Sequence, residues 1–388
     1  METVKYKISQ AIRYLGDSSF YPFFPLYLSV ILGYKEDTIG LVLMILPLVG
    51  MIANIIFSIS AKNINFNRIF MIIMTLIEGI LIIILMQVTD LPIIILMVFF
   101  LAVIGQPFYS LFDGYTAVYS AQSNDNYSKI RLYGSLGYAV GALISGYVTR
   151  HLGYHYAFYA AAGFFIILSF VLYFIKPLDL KEELRLKPNA KELLKNKKYV
   201  KFAIFYVISL SSLFLGGAFL GTYFDFKGLG SDILGIVTFV GVIMEIIVLT
   251  IYAKWGHKFK TVWIMLSIVA TNFIIFFTYS FNVSKYVIMS VALIRAIGMG
   301  GLLYIGVEYI KANVKRKNIT LAITLYTSLR FLVYSLLVFG SGYFIVDFGY
   351  YSFYLMVSLL SLTALFFIDY KPSYDIIKNE EKIWLLEI

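Results

Sequence analysis

The sequence predicts an all-α membrane protein of twelve transmembrane helices in two six-helix bundles, and three observations carry that expectation. Of the 388 residues, 60% are apolar and only 14% charged, with a mean hydropathy of +0.84, outside the range of soluble domains. Apolar runs of about 20 residues, enough to cross a hydrocarbon core, recur along nearly the whole chain. These runs also fall into two sets of six, separated by the polar stretch KPLDLKEELRLKPNAKELLKNKKYVK.

The first six spans are expected at Ser9 to Leu32, Thr38 to Ser60, Ile69 to Met86, Ile93 to Ser120, Leu132 to Val148 and Ala157 to Ile175. METVKYKISQAIRYLGDSSFYPFFPLYL has no A-x-A-like cleavage site and runs into a full span, so it reads as the first helix and not as a signal peptide. The second six are expected at Phe202 to Tyr223, Ile233 to Tyr252, Val262 to Tyr279, Val287 to Ile310, Ile319 to Phe339 and Tyr350 to Phe367. This gives an N-terminal bundle at 1–175, a linker at 176–201 with a short amphipathic helix, a C-terminal bundle at 202–370 and a tail at 371–388.

The net charge of +10 has its source in Lys and Arg retained on the cytoplasmic side of the spans, not in nucleic-acid binding. With the Lys-rich linker inside, Lys5, Lys7, Lys62, Arg68, Lys129, Lys254 to Lys260 and Lys311 to Lys317 also fall inside, and the outside loops keep Lys35, Arg150, Lys227 and Lys285. A multi-pass protein of the cell membrane with both termini cytoplasmic follows. No cysteine is present, so disulfides, thiolate metal sites and Cys nucleophiles are excluded. His151, His155 and His257 lack ligand spacing, and no phosphate-binding Gly-rich loop occurs. No enzyme, metal or cofactor is expected.

SGYVTRHLGYHYAFY from Ser145 and SGYFIVDFGYYSFYL from Ser341 share Ser-Gly-Tyr and then Gly-Tyr at equal spacing, half a chain apart. TIGLV at Thr38 and ILGIV at Ile233 repeat at nearly the same offset. Parallel six-helix repeats mark two-bundle transporters.

An ionisable group at the centre of a span costs roughly 2.5 to 3.5 kcal/mol on insertion scales and so needs a partner, a cavity or a task. The candidates are Asp17, Glu78, Asp113, Arg131, Glu245, Arg295, Glu308 and Arg330. Asp113 and Arg131 are equidistant from Gln122, so an antiparallel hairpin brings them to one depth, where they either bind sugar hydroxyls or merely fasten the hairpin. Tyr138, two turns beyond Arg131, offers a ring face for stacking. Asp17 either lines the cavity with them or caps a kinked turn beside Pro22 and Pro25. Glu78 reads as peripheral. Glu245, among apolar neighbours, is the expected proton carrier, with Glu308, Arg295 and Arg330 as partners and with pairing favoured between different helices. Gly134, Gly137, Gly141 and Gly146, and Gly298, Gly300, Gly301 and Gly306, read as close helix contacts.

FYPFFPLYL, YSKIRLYGSLGYAVG and GVIMEIIV resemble, over nearly the full chain, the lactose permease branch of the major facilitator superfamily, which includes oligosaccharide, nucleoside and phenylpropionate symporters. SISAKNINFNR and AKWGHKFK are degenerate versions of that superfamily's loop motif. The resemblance implies that Asp113, Arg131 and Tyr138 match a Glu, an Arg and a Trp that contact galactoside, with the shorter acid and the smaller ring pointing away from lactose itself. It has no counterpart here for the tenth-helix His and Glu, apart from Arg295 near the His position. The function expected is proton-coupled import, by alternating access, of a small hydroxylated solute such as a sugar, oligosaccharide or nucleoside, by a monomer whose partners are substrate, protons and lipid. Export of amphipathic drugs or metabolites is the alternative, and a non-transporting membrane sensor a third.

Overall fold

The computed structural model describes residues 2–60, 64–123, 125–178 and 189–370, the side chains of 58–60, 64–66 and 316 excepted. The expected tail at 371–388, residues 179–188 of the expected linker, and Lys62 lie outside the described residues.

Every regular element among the described residues is helical: α1 (Glu2–Phe20), α2 (Phe24–Val30), α3 (Glu36–Ser60), α4 (Ile64–Leu85), α5 (Leu91–Ser123), α6 (Tyr127–His151), α7 (Tyr154–Tyr173), α8 (Ala190–Lys195), α9 (Lys197–Ala218), α10 (Leu220–Phe226), α11 (Ser231–Trp255), α12 (Thr261–Tyr279), α13 (Lys285–Asn313) and α14 (Ile319–Leu362). Nine helical stretches among them are long and apolar enough to cross a membrane. The other expected spans miss that measure for local reasons. Pro22 has no N–H and its ring clashes with the carbonyl of the preceding turn, so the first span breaks into α1 and α2. The fifth, α6, is diluted by Gly, Ser and Tyr and carries Lys129, Arg131 and Arg150. The last two run together as α14, whose 44 residues would reach about 66 Å, twice a hydrocarbon core. It is broken at Gly349, with φ 79° and ψ 169°.

The chain order repeats itself in backbone detail. The broken pair α1–α2 has its counterpart in α9–α10. Gly33 (φ 69°) follows the first pair and Gly228 (φ 68°) the second. Gly153 (φ 107°) and Gly349 (φ 79°), the glycines shared by the two Ser-Gly-Tyr segments, both take the left-handed region that a side chain disfavours.

The described residues form two compact units, one of Met1–Glu182, Ala218–Ile243 and Ser335–Val346, the other of Glu183–Gly217, Met244–Tyr334 and Asp347–Ile388. In the first unit, α1 lies against α6, α3 against α5, and α4 against α7. The α1–α6 contact runs along a glycine stripe. A β-carbon on Gly134 would meet the Tyr14 ring at 2.6 Å, one on Gly137 would press into the Ala11 carbonyl, and one on Gly141 would collide with Ser18. Ser145 continues the stripe by donating to Ser19 Oγ at 2.8 Å. Two further crossings in this unit are also built on glycine. A β-carbon on Gly235 would stand 2.6 Å from Ala142 O and 2.9 Å from Gly146 Cα, and one on Gly40 would stand 2.8 Å from Val338 O and 3.2 Å from Gly342 Cα. Gly40 and Gly235 belong to the TIGLV and ILGIV repeat, and Gly146 and Gly342 to the Ser-Gly-Tyr repeat. At the α7 end, Lys5 donates to Phe174 O (2.6 Å), Arg68 to Tyr173 O (3.0 Å) and Ile175 O (2.7 Å), and Lys176 N to Glu2 (2.7 Å).

In the second unit α12 packs on α13. A β-carbon on Gly298 would meet Asn272 and Thr271, one on Gly301 Ile268, and one on Gly306 Tyr206. The short α8 is tethered to the α13–α14 turn: Glu192 takes Lys315 (2.6 Å) and Lys317 (2.9 Å), and Asn196 donates to Asn313 O (2.8 Å). The two lysines hold the Glu192 carboxyl down at about 2. With its folded value depressed, this contribution is present above the ordinary carboxylate range and is lost only as pH falls towards that value.

Gly137→Ala is expected to destabilise the protein by about 1–3 kcal/mol, because the added carbon meets α1 backbone and not a side chain that can move. Gly163→Ala in α7, which meets nothing within 4 Å, serves as the neutral comparison. Thermal unfolding of the detergent-solubilised variants checks the difference, and equal melting temperatures would contradict the α1–α6 packing.

Candidate functional site

The hairpin arithmetic from the sequence is realised in the first unit. α5 ends at Ser123 and α6 begins at Tyr127, where the Asn126 side chain accepts from Ser128 N at 2.9 Å and caps the helix. Arg131 Nε then stands 3.7 Å from Asp113 Oδ1. Their side chains are 33% and 40% exposed, so this pair keeps donors and acceptors open that a fully buried pair would spend internally. The Arg131 guanidinium lies over the Tyr14 ring, 4.3 Å from its centroid. Gly134 makes room for both, since a β-carbon there would be 2.6 Å from Tyr14 and 2.8 Å from Arg131 Nη1. Tyr127 lies beside both members of the pair. Tyr138, seven residues beyond Arg131 on the same helix face, is half-buried. The site therefore presents a carboxylate, a forked donor and aromatic faces together, the equipment for gripping hydroxyls and stacking a ring.

Asp17 and Glu78 are placed differently from the sequence expectation. Both belong to a buried cluster centred on Arg13, a residue the sequence reading had not singled out. Arg13 Nη1 donates to Glu78 Oε2 (2.5 Å) and Nη2 to Glu78 Oε1 (3.2 Å), a two-pronged contact. Nη2 also lies 3.1 Å from Asp17 Oδ1. That approach is an ion contact, and among the described residues no aligned hydrogen bond reaches the Asp17 oxygens. Asp17 thus faces Arg13 one turn back, and the reading in which it caps the turn beside Pro22 gives way. Glu78 is wholly buried, not peripheral, and also accepts from Tyr21 Oη at 3.1 Å. Phe108, Tyr109 and Phe165 surround the guanidinium at 4.5, 4.6 and 4.7 Å. The Arg13–Asp17 spacing of four residues was a readable sign of an intrahelical pair. Glu78, 65 residues away, left no local sign.

In the second unit, Glu245 sits half-buried in mid-α11. Glu308 takes Lys311 of its own helix at 2.9 Å, not a partner on another helix, because a residue three positions on is its nearest cation. Arg295 is half-buried. Arg330 is 8% exposed, with its guanidinium over Phe331 at 4.0 Å and Phe214 at 5.0 Å.

Arg13→Met leaves two wholly buried carboxylates without their counter-charge and is expected to cost about 3–5 kcal/mol, enough to abolish folded protein. Glu78→Gln leaves a neutral Arg13–Asp17 pair and an acceptor for Tyr21, and should cost about 1–3 kcal/mol. Monodispersity and thermal unfolding in detergent check the order, and equal loss from both changes would contradict the cluster's charge arithmetic.

Comparison with known proteins agrees with this architecture. The model of the MFS_1 like family matches residues 6–356. The chain is 21% identical over 317 residues to an uncharacterized transporter, YwbF, of Bacillus subtilis (strain 168), covering 81% of this chain and 79% of that protein. Among solved structures, a mutant of the nucleoside transporter NupG superposes with a TM-score of 0.83 at 15% identity, covering 95% of this chain and 99% of that one. A D-xylose-proton symporter superposes with a TM-score of 0.71 at 12% identity, covering 95% and 97%.

Proposed function

We propose, from the premise that this chain belongs to the MFS_1 like family and is a membrane transporter of the major facilitator type, that it imports a small hydroxylated solute, a sugar, oligosaccharide or nucleoside, together with protons. The observation that carries the reading is the half-open Asp113–Arg131 pair with Tyr14 beneath the guanidinium, held at one depth by the α5–α6 hairpin. A pair serving only to fasten the hairpin has no use for open donors and acceptors. This one leaves oxygens and N–H groups available for hydroxyls, beside rings for a sugar or base face. Solved transporters of a nucleoside and of xylose with protons share the fold.

Twelve crossings complete the reading. α1–α2 and α6 join the nine longer stretches, and α14 counts twice because of Gly349. Transport proceeds by alternating access of the bundles 1–175 and 202–370, with both termini and the linker in the cytoplasm, as the Lys and Arg bias favours. Glu245 is the carboxylate assigned to the coupling proton: the loaded carrier changes face with it protonated and returns after losing that proton.

In proteoliposomes, Asp113→Asn and Arg131→Ala are each expected to abolish saturable uptake while leaving folded protein, and Tyr138→Phe to leave most of it. Normal transport by both charge variants would make the pair structural. Glu245→Gln should keep exchange of internal for external solute and lose accumulation against a gradient, since exchange never requires deprotonation. Continued proton-linked accumulation by that variant would move the proton elsewhere. A cysteine replacing Lys195 should stay unlabelled by an impermeant thiol reagent in intact cells, and labelling there would invert the topology.

A further inference from the structure

The two units treat membrane-depth arginines in opposite ways. In the first unit each meets a carboxylate, Arg13 two and Arg131 one. In the second unit Arg295 is the eleventh residue of α13 and Arg330 the twelfth of α14, so each stands about 15–17 Å into its helix, near the middle of a span. Among the described residues neither makes an ion pair or a hydrogen bond. Glu308 is committed to Lys311, and Glu192 to Lys315 and Lys317.

Both guanidiniums also stand along α9. Arg330 faces the Phe214 ring of α9 at 5.0 Å. Arg295 Nη2 lies 3.9 Å from where a β-carbon on Gly217 of α9 would stand. Residues 214 and 217 are three apart and share a helix face, so both cations stand against adjacent turns of one strip of α9, left open at Gly217 by the missing side chain. The rings of Phe331 and Phe214 cover the flat faces of Arg330, with Tyr334 packed edge-on to Phe214 at 6.0 Å. Ring faces attract a guanidinium but accept none of its five N–H groups, which lie in its plane and point past the rings. Two mid-span cations along one strip of α9, more than nine-tenths buried in the case of Arg330 and edged with donors that meet no acid among the described residues, form a receptor that lacks its anion.

We propose that Arg295 and Arg330 bind an anionic group of the transported solute, a carboxylate or a phosphate, whose paired oxygens match the guanidinium fork. The site stands on the second unit alone. Its assignment to cargo rests on the transporter reading above, and among small hydroxylated solutes it selects acidic derivatives of sugars and nucleosides, such as sugar acids, sugar phosphates or nucleotides.

The test uses purified full-length protein and probes that share a sugar or nucleoside and differ in an acidic group: glucose, glucuronate and glucose 6-phosphate, and uridine with uridine 5′-monophosphate. Dissociation constants come from ligand-induced thermal shifts. At least one anionic probe should bind about tenfold or more tighter than its neutral counterpart. Glucuronate against the two phosphates tells a carboxylate site from a phosphate site. Arg330→Gln and Arg295→Gln should each erase that preference, and Arg330→Lys, which keeps the charge but loses the fork, should retain part of it. Arg295→Gln, at the less buried position, keeps the test decisive if Arg330→Gln fails to fold. Equal binding of neutral and charged members, binding of no anion, or an unchanged preference in the Gln variants would overturn the site. Absence of anion preference alongside Asp113-dependent uptake would remove this inference and leave the transporter reading intact. Anion preference in a protein that moves none of these probes would keep the site and remove the reading of the anion as cargo.

Discussion

A charge carried to the depth of the hydrocarbon core must be answered there, and the first unit is organised around one such answer. The Arg13 guanidinium brings α1, α4 and α5 to a single point: Glu78 comes from α4, the Phe108 and Tyr109 rings from α5, and Asp17 from the next turn of α1 itself. Gly105 lets α5 pass close to Glu78 Oε1, where a β-carbon would stand at 3.3 Å. Phe165 closes the cluster from α7. In lipid, apolar side chains gain little by facing one another, so polar contacts and close backbone approach decide which helices pack. The arginine cluster supplies the first and the α1–α6 glycine stripe the second.

This fixed centre positions the open pair next to it. Tyr14 follows Arg13 in α1, tilts against Tyr109 at a centroid distance of 6.0 Å and carries the Arg131 guanidinium on its other neighbour side. A continuous run of contacts thus leads from the buried cluster to Asp113. One ion group is spent on structure and the other kept half-open, so a solute that engages Arg131 also touches the packing that holds α1 and α6 together. Among the described residues the second unit has no comparable centre. Its mid-span arginines rest on rings and a glycine, and their counter-charge is left to a ligand.

Much of this was legible in the sequence, and the remainder was not for definite reasons. Apolar run length gave the helices, because a bilayer imposes one scale on every span. The Asp113–Arg131 contact could be read because hairpin geometry turns sequence distance into depth. The Ser-Gly-Tyr repeat pointed to Gly153 and Gly349, whose positive φ angles are the backbone event that the repeat preserves. Glu78 and Arg13 escaped because their contact joins helices 65 residues apart in the chain, and no periodicity encodes which helix faces which. For Glu308 the sequence favours a partner on another helix, although Lys311, three residues on, satisfies the helical rule directly. The sequence also offers Arg295 and Arg330 as partners for an acid, and that neither makes an ion pair among the described residues is a property of packing alone.

The Asp113–Arg131 pair either grips solute or fastens the hairpin, and neutralising both members at once separates the two. If the pair only fastens, Asp113→Asn combined with Arg131→Gln removes both charges, leaves neither stranded, and should restore whatever the single changes cost. If the pair binds, the double variant should fold and melt like the parent protein yet fail to exchange labelled solute. Counterflow in proteoliposomes, paired with thermal unfolding of the same preparation, is the measurement. A stable double variant without counterflow is the result predicted here, and a stable double variant with parental counterflow would contradict the account.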